Sequence, residues 1–285
     1  MYGAIIGDIA GSWYEGMNNV DRNFEIFSSK NVTTDDTVMT VAIGEAFMFF
    51  LRDYYPDIFS TCGKNKNIKA DDIGEVNVNL LKEVIVKNMV FWGNKFPQAG
   101  YGGRFRKWLR YNPKPYNSWG NGSAMRVSPV GWMFEDIETT RRMAAIQAEV
   151  SHNHPEGMKG AEAIAAAVYL ARKGRSKDDI RQYIENEFGY DMSRTCDEIR
   201  PEYTFDVSCQ GSVPEAIIAF LDGNDFEDVI RNAVSLGGDT DTIGAMAGSI
   251  AEAYYGVPEE MKESADRYIP DIMMKPIKAF EEMWR

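Results

Sequence analysis

Apolar residues recur at helical spacing along most of this chain, and the alternation expected of strands is almost absent. Residues 176–188 open with Ser176 and Asp179 as a capping pair, then place Ile180, Tyr183, Ile184 and Phe188 on one face. Residues 225–236, started by Asn224 and Glu227, stripe Phe226, Val229, Ile230, Ala233 and Val234 in the same way. Residues 243–255 align Ile243, Met246, Ala247, Ile250 and Tyr254. The alanine-rich run 158–173 aligns Ala161, Ile164, Ala165 and Val168 before Gly174 stops it. Residues 37–51, 79–91, 138–150, 213–222 and 258–268 behave alike, with Pro214 and Pro258 suited to first-turn positions. Only Phe24–Phe27 and Tyr203–Val207 alternate, enough for a small hairpin. Without βαβ alternation the pattern predicts one compact, mostly α domain of about ten helices over 1–285. The polar stretch Ser60–Asn79 reads as a surface connection or weak helix, and 190–212, with Pro201 inside, as a long loop.

Composition removes several function classes. A hydrophobic content of 44% excludes a disordered chain. The sum of 31 Lys+Arg and 43 Asp+Glu gives a net charge of −12, which repels phosphate backbones and anionic lipid surfaces. No nucleic acid or membrane partner is therefore expected. Cys62, Cys196 and Cys209 are too few and too far apart for a disulfide framework or a thiolate zinc site. Two histidines, His152 and His154, cannot build a histidine-rich metal centre. Met1–Gly11 is apolar but lacks the basic start of a signal peptide, and no apolar run is long enough to span a bilayer. A cytoplasmic protein is the expectation.

Chemistry concentrates in two segments, Thr33-Thr34-Asp35-Asp36-Thr37 and Gly237-Gly238-Asp239-Thr240-Asp241-Thr242, each just ahead of a predicted helix. Asp and Thr are good helix caps, and a cap explains one such segment. A cap needs one oxygen, however, and each segment offers two carboxylates with flanking hydroxyls. If the segments meet, four charges crowd together, and like charges ~4 Å apart cost about 4 kcal/mol at an effective dielectric of ~20. Protons or cations must then neutralise them. Oxygen ligands without thiolates suit Mg²⁺, Mn²⁺ or Ca²⁺, and four carboxylates balance two divalent ions. Asp239-Thr240-Asp241-Thr242 also fits the DxDxT loop of haloacid-dehalogenase-like phosphatases, with Asp239 as nucleophile, but that loop follows a buried strand and here a helix precedes it. An EF-hand fails because Ile243 stands at its third ligand position.

The ordered set of motifs resembles the ADP-ribosylglycohydrolase family. The matching pieces are Gly7-Asp8-Ile9-Ala10-Gly11-Ser12-Trp13-Tyr14-Glu15, Thr34-Asp35-Asp36-Thr37, Gly100-Tyr101-Gly102, Trp119-Gly120-Asn121-Gly122-Ser123-Ala124-Met125-Arg126, Ser151-His152 and Gly237-Gly238-Asp239-Thr240-Asp241-Thr242. The resemblance implies an all-α, orthogonal multi-helix fold and a binuclear Mg²⁺ or Mn²⁺ centre. Thr34, Asp35 and Asp36 would hold one side of that centre, and Asp239, Asp241 and Thr242 the other. Asp35 or Asp36 would receive a proton from water, and Glu15 would gate the site or act as acid/base, unless it is merely a surface glutamate. The substrate would be an ADP-ribosylated protein, on arginine or serine, or an ADP-ribose-containing small molecule.

Gly100, Tyr101, Gly102 and Gly103, with Ser118, Gly120, Asn121 and Gly122, fit close approach to a diphosphate. Trp119 would stack on adenine or sit in the core. His152 would lie near the distal ribose or serve as a cap, and His154 has no clear assignment. Arg126 would support the metal carboxylates or pair with a surface acid. Ser123 departs from the glycine or alanine of many relatives, and segments 53–79 and 186–212 match none of the motifs. A non-catalytic ADP-ribose-binding or structural member is the competing reading, against which all four aspartates speak.

Overall fold

The computed structural model describes residues 1–18, 20–61, 68 and 77–284. Among them are fifteen α-helices and one 3₁₀ turn, Asn121–Ser123, and pairing between extended segments is limited to isolated bridges, Ile68–Phe134 and Gly120–Ser208. The expected all-α class holds. The helices are α1 (Tyr2–Ser12), α2 (Asp35–Tyr54), α3 (Pro56–Thr61), α4 (Val78–Lys95), α5 (Gly103–Tyr111), α6 (Ser128–Met133), α7 (Ile137–Glu149), α8 (Pro155–Arg172), α9 (Lys177–Phe188), α10 (Cys196–Ile199), α11 (Cys209–Asp222), α12 (Phe226–Ser235), α13 (Thr240–Tyr255), α14 (Glu259–Ala265) and α15 (Asp271–Trp284). Most of the segment read as a connection or weak helix, residues 62–67 and 69–76, lies outside the described residues, as does Cys62.

All nine periodic segments are helical, and their starts follow cap chemistry. Ser176 and Asp179 form the reciprocal box at the head of α9, and Gly174, at φ 71°, ends the chain's run through α8. Three expectations are corrected. The cap of α12 is Asp225 accepting from the Asp228 amide, one residue beyond the expected Asn224–Glu227 pair. Ser208 starts α11 a turn early, so Pro214 lies inside that helix. The small hairpin is not formed: Phe24 sits in a turn closed by its own amide on the Asp21 carbonyl, while 203–207 runs as an irregular loop past Gly238.

At the centre is α1, whose residues Tyr2–Gly11 are all buried. A helix without a polar stripe must be surrounded, and α2, α12, α13 and α14 do so. Its partner in depth is α13, which runs antiparallel to it. Cβ atoms added to Gly3, Gly7 and Gly11 would stand 2.1, 1.9 and 2.3 Å from the carbonyl oxygens of Gly248, Gly244 and Thr240. Only glycine allows backbones so close. Thr240 Oγ1 locks one end of this seam by donating to the Gly11 carbonyl at 2.8 Å. At the other end the Met1 ammonium meets Glu252 of α13 and Glu281 of α15 at 3.1 and 3.0 Å. No helix among the described residues is long and apolar enough to cross a membrane.

Candidate active site

The glycine seam brings the last turns of α1 beside the first turn of α13, and α2 begins next to both. Asp35 and Asp36 open α2 behind the cap Thr34, while Asp239 caps α13 and Asp241 and Thr242 lie in its first turn. Two helix N-termini thus point their positive ends at one group of acids. Asp8, Asp36 and Asp241 each bring a carboxylate oxygen within 4.8 Å of the others, and so do Glu15, Asp239 and Asp241. Asp241 belongs to both groups. The two aspartate segments singled out in the sequence therefore do meet.

Hydrogen bonds hold most of these acids in place. Asp8 accepts from the Thr34 amide and hydroxyl at 2.9 and 2.7 Å, from the Thr37 amide at 3.1 Å, and from the Thr37 hydroxyl. Asp36 Oδ2 accepts from Thr242 Oγ1 at 3.2 Å, and Asp239 from Asn121 Nδ2 at 2.7 Å. Glu15, exposed, is carried by a loop that pairs Gly16 N with the Gly238 carbonyl and Gly238 N with that of Met17.

Burial pushes the Asp8 carboxyl up to about 6, against the pull of its threonine donors. Burial and the neighbouring Asp8 push Asp35 to about 8. Asp36 and Asp241 rise well above the ordinary carboxylate range through burial first, then through Asp8, Asp35 and Asp239 for Asp36 and through Asp36, Asp239, Asp8 and Glu15 for Asp241. Asp239 and Glu15 rise for the same leading reason. So many acids ionise together only beside positive charge, and no Lys or Arg is paired with any of them among the described residues. Asp36 Oδ1 is moreover buried with no hydrogen-bond partner. An all-oxygen donor set with an orphaned buried oxygen fits a hard divalent cation.

A cleft of about 410 Å³ opens above these acids. Its lining takes in Asp35, Asp36, Asp239, Asp241, Thr242 and Glu15 together with Gly100, Gly102, Ser118, Trp119, Gly120, Asn121, Gly122 and His152. Thr34 and Tyr101 are buried outside the lining; Thr34 is spent on Asp8. Gly100, at φ 110°, lies where a side chain would meet Asp35 Oδ1 at 3.0 Å, whereas Gly102 and Gly103 have open space before them. Those two begin α5, whose cap residue Gly102 offers no side chain to the free amides, so its N-terminus faces the cleft bare, beside Arg104. Gly122 leaves room for His152, whose Nε2 is 3.1 Å from where its Cβ would be. Trp119, 46% exposed, stands at the mouth and not in the core. The segment 119–121 is bound by backbone to 207–209, with Asn121 N on the Val207 carbonyl at 2.8 Å and Cys209 N on that of Trp119 at 3.0 Å. This places Phe205 and Val207 on the rim with Trp119.

Arg126 does neither of the things expected of it. It is buried, and instead of an acid it meets Gln147 Oε1 at 2.9 Å and the Gln147 carbonyl at 3.0 Å. His154 caps α8 by accepting from the Glu156 amide, away from the cleft lining. Sequence reasoning assigned no role to Asp8, Phe105, Tyr116, Phe205 or Val207. Asp8 was detectable as a single acid within an apolar run; the rim residues carried no signal, because loop alternation there suggested a hairpin. The phosphatase reading falls, since the element before Asp239 is α12 and not a strand.

Comparison with known proteins bears on this arrangement. The sequence model of the family described as ADP-ribosylglycohydrolase matches residues 1–280. The chain is 27% identical to human ADP-ribosylhydrolase ARH3, covering 93% of this chain and 88% of that protein. It is 26% identical to the ADP-ribosylarginine hydrolase Tri1 of Pseudomonas putida, covering 79% of this chain and 59% of that one. A solved structure titled ADP-ribosylglycohydrolase-related protein complex superposes with a TM-score of 0.68 at 20% identity, over 100% of this chain and 95% of that one, which establishes likeness of fold.

Proposed function

This chain belongs to the ADP-ribosylglycohydrolase family, and on that premise we propose that it hydrolyses the glycosidic bond between ADP-ribose and a modified protein side chain or small acceptor, using two divalent cations, Mg²⁺ or Mn²⁺. The observation that carries this reading is Asp241, shared by two carboxylate groups in the lining of a cleft that also holds the open Gly102 and Gly103 and the rings of Phe105, Tyr116 and Trp119. Asp36, Asp241 and Asp239, with Asp35 and Glu15 beside them, would hold the cations. Bound there, such cations would neutralise the crowded acids and supply Lewis-acid activation of a water and of ribose hydroxyls.

The remaining work falls to the chain's own groups. The bare start of α5, with Arg104, receives the diphosphate by amide donation and charge. Trp119 offers the adenine an exposed ring face at the rim. Asp35 is the better candidate to take the proton from the attacking water. It is partly exposed at the cleft wall, while Asp36 is buried and its Oδ2 is engaged by Thr242. Glu15, on its tethered loop, stands where it can close over the acids or protonate the departing group. Of the two relatives, Tri1 carries an acceptor, arginine, in its name and ARH3 carries none, so the linkage is left to experiment.

The test is release of ADP-ribose from arginine-linked and serine-linked ADP-ribosylated proteins, in parallel, with Mg²⁺, Mn²⁺ or EDTA. Metal-dependent release from either substrate is expected and fixes the linkage. Metal-dependent binding of ADP-ribose with release from no acceptor, including small ones, would make the protein a binding module.

A further inference from the structure

Beside Gly120 and Gly122 of the cleft lining begins a chain of buried polar groups that the hydrolytic reading does not use. Arg126, Gln147, Ser151 and His152 are all at most 5% exposed. Gln147 is oriented first, because its Nε2 donates to the Ser123 carbonyl at 2.9 Å and so its Oε1 must face Arg126 Nε. The guanidinium, a donor only, gives Nη2 to the Gln147 carbonyl and to Ser151 Oγ, the latter at 3.1 Å. Ser151 Oγ also lies 2.8 Å from His152 Nδ1. A hydroxyl has one proton to give. Arg126 occupies one of the two lone pairs of Ser151 Oγ, and among the described residues no acceptor other than Nδ1 is bonded to that hydroxyl, so its proton is directed to Nδ1.

We infer that Arg126 and Ser151 are positioning residues that hold His152 as the neutral tautomer protonated on Nε2, so that the ring presents one N–H donor to the ligand over Gly120 and Gly122. The placement agrees with the direction of the edge: Nε2 faces the space left by those two glycines, 3.7 and 3.1 Å from where their Cβ atoms would be. Ring contacts with Tyr116 and Phe105, at centroid distances of 5.8 and 6.4 Å, keep the imidazole from turning. Arg126 and Arg104 also oppose a second positive charge on the ring, and burial opposes it most. A donor so placed suits an oxygen acceptor, a ribose hydroxyl or a phosphate oxygen, and rejects a cation. The ligand's identity rests on the function proposed above; the tautomer does not.

The chain holds only two histidines, so ¹⁵N-imidazole labelling of the full-length protein gives two ring systems, assigned with His152→Gln. Expected is a His152 ring in the Nε2–H form that stays neutral from about pH 5 to pH 8. An Nδ1–H ring, or a ring that protonates within that range, overturns the relay. In Ser151→Ala the ring is expected to populate both tautomers and affinity for ADP-ribose to fall about three- to tenfold, the scale of one hydrogen bond. An unchanged tautomer in that variant also overturns the relay, and if the variant does not fold, the wild-type spectrum decides alone. Absence of ADP-ribose release alongside an Nε2–H ring would sink the hydrolase reading and leave the relay standing.

Discussion

Two sets of glycines do opposite things in this molecule. Along α1 and α13, a methyl group added to Gly3, Gly7, Gly244 or Gly248 would fall within 2.5 Å of a carbonyl oxygen. At the head of α5, one added to Gly102 or Gly103 would meet nothing within 4 Å. The first set removes space so that acids from three helices converge; the second leaves space that the protein never fills. Residue type alone does not tell them apart, and the sequence motif through Gly7 and Gly11 looks no more special than Gly100-Tyr101-Gly102-Gly103.

The difference is sharpest in substitution. Gly7→Ala is expected to cost at least about 3 kcal/mol in urea unfolding or to abolish the folded state, because backbone and not a flexible side chain must yield. A loss below 1 kcal/mol, on the order of an ordinary surface change, would mean that the seam opens freely and that its closeness does not fix the acids.

Next in size are the acids that the seam assembles. Asp241→Asn should lower ADP-ribose release by at least about a hundredfold and remove the rise in melting temperature on adding Mn²⁺. Asp8→Ala should weaken Mn²⁺ binding by about ten- to a hundredfold, since it frees the Thr34 and Thr37 donors that fix the start of α2. Asp8→Asn, which can still accept from both amides, should recover most of that loss in a calorimetric titration; equal loss in both variants would make Asp8 a direct ligand.

Crowded acids also carry a pH signature. Asp8 at about 6 and Asp35 at about 8, with Asp36, Asp239, Asp241 and Glu15 all raised, bind more protons folded than unfolded. Their contribution to stability is full below about pH 4, the unfolded carboxylate value, and is lost as pH climbs through 6 to 8. In EDTA the melting temperature should therefore fall across that window, and Mg²⁺ should flatten the fall. A melting temperature that rises from pH 5 to 8 in EDTA would show the acids to be ionised and compensated by protein groups. The smallest effect belongs to the open set: Gly102→Ala should change stability by less than about 0.5 kcal/mol while weakening ADP-ribose by several-fold.

What could be read in advance follows the range of the interactions. Caps and apolar stripes are local, so the nine periodic helices and the acids at the heads of α2 and α13 were visible in the residue order. The convergence of Asp8 with them was not, because it depends on Gly3 meeting Gly248 and Gly7 meeting Gly244 across more than two hundred positions of chain. For the same reason Arg126 was misjudged: its partners, Gln147 and Ser151, follow from how α7 ends and not from any spacing. Local alternation at 203–207 misled because Val207 and the adjoining Ser208 pair by backbone with Asn121 and Gly120, far away in sequence.

That last pairing separates the shape of the rim from its surface. The amides and carbonyls of Trp119, Asn121, Val207 and Cys209 hold the frame, while the side chains of Trp119, Phe205 and Val207 hang outward, each nearly half exposed. Substitution at those three positions alters what the mouth touches without loosening what holds it. A lineage can therefore drift in ligand preference at the rim while the acidic floor, pinned by its glycines, stays unchanged.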